Sequence, residues 1–117
     1  MIEINNKVPE NMQTAMAYGI SKNFVNWRAK HDAGRLGDKG IRVVSVSHGK
    51  FETPMGALES EDGKKYIQAC AIKRFGYPEE IAYLFSTIVD ERNGYLTATD
   101  IICDGGMIGF GLEKIKK

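Results

Sequence analysis

The sequence predicts an α/β fold built on parallel strands, and three observations predict it. The β-branched run Ile41-Arg42-Val43-Val44-Ser45-Val46-Ser47 reads as a strand whose apolar residues do not alternate strictly, as in a strand covered on both faces. Asp100-Ile101-Ile102-Cys103-Asp104 reads as a second strand. The long stretch between them has helical patterning, and a crossover of that length joins strands in parallel with a right-handed sense.

The elements follow in order. Residues 1–11 are polar, contain Pro9, show no clear periodicity and read as a loop or a frayed lead-in. Over residues 12–33, Met12, Ala15, Met16, Gly19, Ile20, Phe24, Trp27 and Ala29 recur at three- and four-residue steps, which predicts a helix with Gly34 as its stop. After the first strand, residues 48–56 form a loop with Gly49 and Pro54, and residues 57–72 one or two short helices. Arg74-Phe75-Gly76-Tyr77-Pro78 is a turn. Pro78-Glu79-Glu80 opens a helix, because proline suits the first helical position and acids complement the positive end of the dipole. Ile81, Leu84, Phe85 and Ile88 give it one buried face, and Asn93-Gly94 breaks it. Asp104-Gly105-Gly106 turns from the second strand into a solvated tail over residues 113–117. Two strands make a poor sheet, so residues 1–117 read as a single partial domain, one end of something larger.

Composition excludes several function classes. With 43% hydrophobic and 26% charged residues, the chain resembles an ordinary soluble globular protein. Its 16 basic and 15 acidic residues leave a net charge of +1 and no footprint for nucleic acid. No apolar run approaches the ~20 residues of a membrane helix, and the N-terminus lacks a signal-peptide pattern. Two separated cysteines, Cys70 and Cys103, and two histidines give no metal-ligand spacing. Both cysteines lie in apolar surroundings and read as buried free thiols in a cytoplasmic protein.

The chemistry centres on Tyr18-Gly19-Ile20-Ser21-Lys22. Four residues apart, the phenol and the ammonium share one helical face. A fixed cation beside a phenol favours phenolate, which makes the phenol a usable acid/base for an alcohol oxygen. An ordinary tyrosine beside a solvated lysine is the alternative that the pair alone leaves open.

Further segments follow in register: Gly40-Ile41-Arg42-Val43-Val44-Ser45-Val46-Ser47-His48-Gly49 with Thr53-Pro54-Met55, then Arg74-Phe75-Gly76-Tyr77-Pro78-Glu79-Glu80-Ile81-Ala82, then Asp104-Gly105-Gly106. With the Tyr18–Lys22 pair, they resemble the C-terminal half of the short-chain dehydrogenase/reductase family. The resemblance implies the C-terminal part of a Rossmann-like, doubly wound parallel sheet, two strands with flanking helices, without the N-terminal nucleotide-binding half. Tyr18 matches the catalytic tyrosine, which exchanges a proton with the substrate oxygen. Lys22 matches the lysine that lowers the tyrosine pKa and binds the nicotinamide ribose. Gly49, Phe51 and Thr53 match the segment passing the nicotinamide, Phe51 through its backbone and Thr53 through its hydroxyl. Residues 54–72 correspond to the substrate lid, in which Met55, Leu58, Tyr66 and Ile67 would form an apolar wall. The Phe24 and Trp27 helix commonly contributes to a dimer interface in this family.

The sequence also departs from the family pattern. No glycine-rich phosphate-binding turn between strand and helix occurs, and the late glycines, 105 to 111, lack that context. No serine precedes Tyr18, and by spacing Asn5 is the nearest equivalent. His48 replaces the proline usual before Gly49, as a satisfied loop histidine or one facing the nicotinamide. Ala98 stands where glycine is common, and a Cβ would strain a turn of positive φ.

The expected function is the C-terminal portion of an NAD(P)-dependent oxidoreductase interconverting a secondary alcohol and a ketone. NAD or NADP would be bound by the complete enzyme and not by this chain alone, which is expected to be inactive. A homo-oligomer or a complementing N-terminal half is the expected partner. The alternative is a non-catalytic remnant or self-associating module of the same ancestry. Asn23, residues 34–40 and Glu52-Thr53-Pro54 faintly resemble the bacterial 3-alpha-hydroxysteroid dehydrogenase/carbonyl reductase branch.

Overall fold

Helix α1 spans Glu10–Gly37, and the residue that ends it is Gly40. The Ile41 N–H reaches back to the Leu36 carbonyl at 3.0 Å and the Gly40 N–H to that of Gly37 at 2.9 Å, with Gly40 at φ +76°. This is the Schellman arrangement, in which a left-handed glycine lets the chain fold back on the last carbonyls. The sequence expectation of a stop at Gly34 is thereby corrected. A mid-helix glycine costs about 1 kcal/mol relative to alanine and does not itself break the helix. The helix also begins before Met12, within the stretch expected to be a loop.

The computed structural model describes residues 10–53 and 60–116; for residues 10–12, 14, 15, 18 and 114–116 it describes the backbone alone. After α1 come β1 (Val44–His48), α2 (Glu61–Ala69), α3 (Pro78–Ile88), a 3₁₀ turn at Glu91–Asn93, β2 (Thr99–Cys103) and α4 (Met107–Lys116). β1 and β2 pair in parallel, and helices flank them, as expected. Each strand lies within three residues of its expected place. In β1 only Ser45 is buried, its neighbours are half-buried and His48 is exposed, so the expected cover on both faces is incomplete. Two strands are too few to give either an interior position.

The chain divides into two compact units. One runs to Ser45 and includes Thr97–Asp100; the other takes Val46–Leu96 and continues from Ile101. In the first, α1 buries Ala29 and Ala33 and exposes Phe24 and Trp27. Trp27 stacks on His31 at 4.5 Å between ring centroids and lies 5.6 Å from Phe24, forming an exposed aromatic column. Arg28 holds Asp32 one helical turn away at 2.6 Å. The buried Ser45 hydroxyl donates to Asp100 Oδ1 at 2.7 Å, which satisfies a polar group that would otherwise be costly.

Ala98 adopts φ +59°, and its N–H is held by the Val43 carbonyl at 2.8 Å. The left-handed region costs an alanine roughly 1–2 kcal/mol. Ala98→Gly removes that strain and loses about 0.5–1 kcal/mol to the freedom of the unfolded glycine. A net gain of about 0.5–1 kcal/mol is expected, read as a raised urea midpoint at unchanged slope. A lowered midpoint would show that the turn carries no strain.

The second unit is built around Cys70, Phe75 and Ile88, all buried. Helix α2 opens on Ser60, whose hydroxyl accepts from the Gly63 N–H at 3.0 Å. Helix α3 starts as expected at Pro78, and the Glu80 carboxylate accepts from the Tyr77 N–H at 2.8 Å. Arg74 grips the same carboxylate with two bonds of 2.7 and 3.0 Å. The Arg74 hydrogen bonds, reinforced by the Tyr77 N–H, lower the Glu80 carboxyl to about 2. The tail expected to be solvated continues α4, which spans Met107–Lys116, and Glu113 within it is exposed. Asp104 supports its start, accepting from the Gly106 and Ile108 N–H groups at 2.9 and 3.0 Å.

Candidate functional site

Tyr18 and Lys22 lie one turn apart on α1, in the first unit, with Lys22 exposed. Helical geometry therefore places them on one face, as the spacing predicts.

The segment 49–53 leaves the C-terminal end of β1 in the second unit. The Gly49 N–H extends the ladder by donating to the Cys103 carbonyl at 2.9 Å. A Cβ at Gly49 would stand 2.8 Å from the Asp104 backbone and would collide with the Tyr66 hydroxyl. Glycine is therefore needed here for the close approach of three chain segments.

Phe51 forms a parallel bridge with Gly76: the Gly76 N–H donates to the Lys50 carbonyl at 3.0 Å and the Glu52 N–H to the Gly76 carbonyl at 2.8 Å. Successive peptide groups of an extended chain point to opposite sides. The Phe51 N–H and C=O consequently face away from Gly76. The Phe51 ring lies over Gly76, where any Cβ would meet it. Thr53 is exposed and its side chain makes no hydrogen bond to another described residue. His48 is exposed too; its Nδ1 lies 2.9 Å from the Gly49 carbonyl, and since a carbonyl only accepts, Nδ1 carries the proton.

Of the four expected lid residues, Met55 and Leu58 lie outside the described residues. Ile67 is half-buried on α2. Tyr66, also on α2, packs edge-on against Phe75 at 5.7 Å. Its hydroxyl accepts from the Lys50 N–H at 2.9 Å and donates to the Asp104 carbonyl at 3.0 Å. Burial pushes the Tyr66 phenol above its ordinary value, so it stays protonated and able to donate. The Cys70 thiol shares the Asp104 carbonyl at 3.6 Å. A pocket of about 120 Å³ opens beside this junction, with Phe51, Tyr66, Arg74 and Cys103 in its wall. Tyr66 therefore borders a pocket, while its polar end is committed to the main chain.

The structure brings Gly49, Phe51 and Tyr66 together within one unit. The roles of Lys50 and Asp104, as main-chain partners of Tyr66, have no sequence signal because a peptide group is the same at every position. Both cysteines are free; Cys70 is buried as expected, whereas Cys103 is only half-buried. Among the described residues no cluster suits a metal ion, and no helix is long and apolar enough to cross a membrane.

A family model described as enoyl-(acyl carrier protein) reductase matches residues 6–108. The short-chain dehydrogenase/reductase bsc3 of Alternaria brassicicola is 34% identical over 100 residues, covering 80% of this chain and 36% of the relative. Glucose 1-dehydrogenase 2 of Bacillus subtilis is 32% identical over 101 residues, 85% of this chain and 38% of its own length. A short-chain dehydrogenase/reductase structure from Serratia marcescens superposes with a TM-score of 0.73 at 32% identity, over 77% of this chain and 37% of that one. The chain thus spans a little over a third of the length of the proteins it matches. The match across nearly the whole chain, on a parallel α/β frame that keeps Tyr18 and Lys22 one helical turn apart, places this protein in the short-chain dehydrogenase/reductase family.

Proposed function

We propose that this chain is the C-terminal portion of an NAD(P)-dependent oxidoreductase that interconverts a secondary alcohol and a ketone. The observation that carries this reading is the family match over residues 6–108, which includes the helix bearing Tyr18 and Lys22 and the segment leaving β1. The nicotinamide, when bound, supplies or accepts the hydride.

The chain's own residues do the rest. Tyr18 gives a proton to the carbonyl oxygen in reduction and removes it from the hydroxyl in oxidation. Lys22 stabilises the phenolate form by its charge and holds the ribose hydroxyls. Segment 49–53 fits a nicotinamide: it lies at the carboxyl end of a parallel strand, where open α/β sheets bind ligands. There the Phe51 N–H and C=O, turned away from Gly76, suit a carboxamide, and the Thr53 hydroxyl is exposed toward solvent. Residues 54–72 form the lid, with Met55, Leu58, Tyr66 and Ile67 as its apolar wall. The nucleotide's adenosine and pyrophosphate would be held by a nucleotide-binding half, provided in the same polypeptide or as a complementing partner. The exposed Phe24–Trp27 column on α1 favours self-association of the chain as a second reading, with or without catalysis.

The test is fluorescence titration with NADH and NADPH, on this chain and on a polypeptide joining it to the nucleotide-binding half of a relative. Saturable binding at micromolar concentration is expected of the joined polypeptide only, together with oxidation of the cofactor by a ketone. Absence of both from the joined polypeptide would sink the enzymatic reading. Micromolar binding by the chain alone would overturn the need for a second half.

A further inference from the structure

We propose that Tyr66 is a positioning residue: its hydroxyl latches the lid helix α2 to the segment 49–53 and to the end of β2, fixing the backbone on which the nicotinamide would rest. The proposal rests on the reading of 49–53 as the cofactor-passing segment and deepens it.

The geometry is specific to a tyrosine. A phenol hydroxyl has one proton to donate and lone pairs to accept, and here both capacities are used on main-chain groups. It accepts from the Lys50 N–H at 2.9 Å and donates to the Asp104 carbonyl at 3.0 Å. The ring is anchored behind by Phe75 at 5.7 Å, and the Lys50 ammonium lies 5.7 Å from its centroid. Gly49 leaves the space the hydroxyl fills, since any larger residue there would displace it.

The consequence concerns Phe51. Residue Lys50 is held through both of its flanking peptides: its N–H, in the 49–50 peptide, by Tyr66, and its carbonyl, in the 50–51 peptide, by Gly76. The Phe51 N–H shares the planar 50–51 peptide with that carbonyl, so its direction is set with it, and the Phe51 N–H and C=O are the groups proposed to meet the carboxamide. Because Tyr66 sits on α2, within the lid, a shift of that helix along its axis pulls on the Lys50 N–H directly. Lid position and nicotinamide seat are thereby coupled through one hydroxyl.

Amide hydrogen exchange on this chain tests the latch. In the wild type the Lys50 amide is expected to be protected to a degree comparable with the Gly49 amide; an unprotected Lys50 amide overturns the proposal without any variant. Tyr66→Phe keeps the ring against Phe75 and removes both bonds. It is expected to speed exchange at Lys50 by about tenfold relative to the amides of α3, the scale of one lost hydrogen bond. Equal acceleration at Lys50 and throughout α3 would mean a structural role only and overturns the latch. In the joined polypeptide described above, Tyr66→Phe is expected to raise KM for the nicotinamide cofactor about tenfold with kcat held within about twofold. An unchanged KM overturns the coupling to the cofactor. Absence of turnover in the unsubstituted joined polypeptide counts against the enzymatic reading instead, and the exchange measurement still decides the latch.

Discussion

Tyr18→Phe is expected to lower kcat of the complete enzyme by about 10²–10⁴-fold, the range for removing a positioned general acid. The substitution deletes one oxygen from the side chain and leaves the helix propensity of position 18 nearly unchanged, since Tyr and Phe rank together. Helix α1 runs through this position without interruption, so the backbone has no reason to move. Proton transfer to the substrate oxygen is the only proposed task that needs the phenol. KM for the nicotinamide cofactor, which the proposal assigns to Lys22 and segment 49–53, is expected to change little. Lys22→Met is expected to give the complementary result: on the proposed roles, kcat falls because the phenolate loses its neighbouring cation, and KM for the cofactor rises because the ribose loses a partner. Steady-state kinetics on both variants separates these patterns. Turnover retained at near wild-type level in Tyr18→Phe would remove Tyr18 from the reaction.

Phe75→Ala is expected to destabilise the protein by about 3–5 kcal/mol, the usual scale for emptying a buried aromatic site. Phe75 is only 1% exposed, and it supports the Tyr66 ring from behind. Its neighbour Gly76 bridges to Phe51, so the cavity would open directly beneath the segment that leaves β1. Domains of this size are stable by about 5–15 kcal/mol in all, and a loss of this size is therefore a large share of the total. Denaturant titration would read it as a fall in the midpoint, and Phe75→Leu, which retains most of the volume, is expected to lose much less. Equal losses for the two variants would show that ring shape, rather than filled volume, carries the stability.

Much of the frame was legible in local chemistry. Pro78 with Glu79 and Glu80 marks the start of α3 because a proline without an N–H and two acids suit the first turn alone. The β-branched run at Ile41 to Ser47 marks β1, and the departure at Ala98 from a common glycine correctly flags a position of positive φ. One misreading has a clear cause. Gly34 looks like a stop because glycine lowers helix propensity wherever it occurs. What ends a helix is a left-handed residue with carbonyls to fold back on, which Gly40 provides and Gly34 does not. What starts α4 is the Asp104 carboxylate, which accepts from the Gly106 N–H in the turn and the Ile108 N–H in the first turn of the helix and offsets the glycines that follow.

The candidate site divides the same way. The Tyr18–Lys22 spacing is local and therefore readable. The function of the Tyr66 hydroxyl is not, because its partners are backbone groups brought in by the fold. Gly49 carries a partial signal, since a glycine at a strand end invites a search for whatever approaches it.

The Tyr66 hydroxyl also bears on the order in which the chain assembles. The Ser45–Asp100 bond across the two strands joins residues 55 positions apart, while Tyr66 meets Lys50 across 16 positions and Asp104 across 38. Loop-closure entropy grows with the logarithm of length, about 0.6 kcal/mol for each doubling, so the shorter ring closes at lower cost. If α2 docks on the strand end through the first of these bonds, the second strand has a shorter ring to close than direct pairing requires. In the folded chain one phenol hydroxyl thus stands at the junction of two consecutive closures of 16 and 38 positions, each shorter than the 55 positions that the bond across the strands spans.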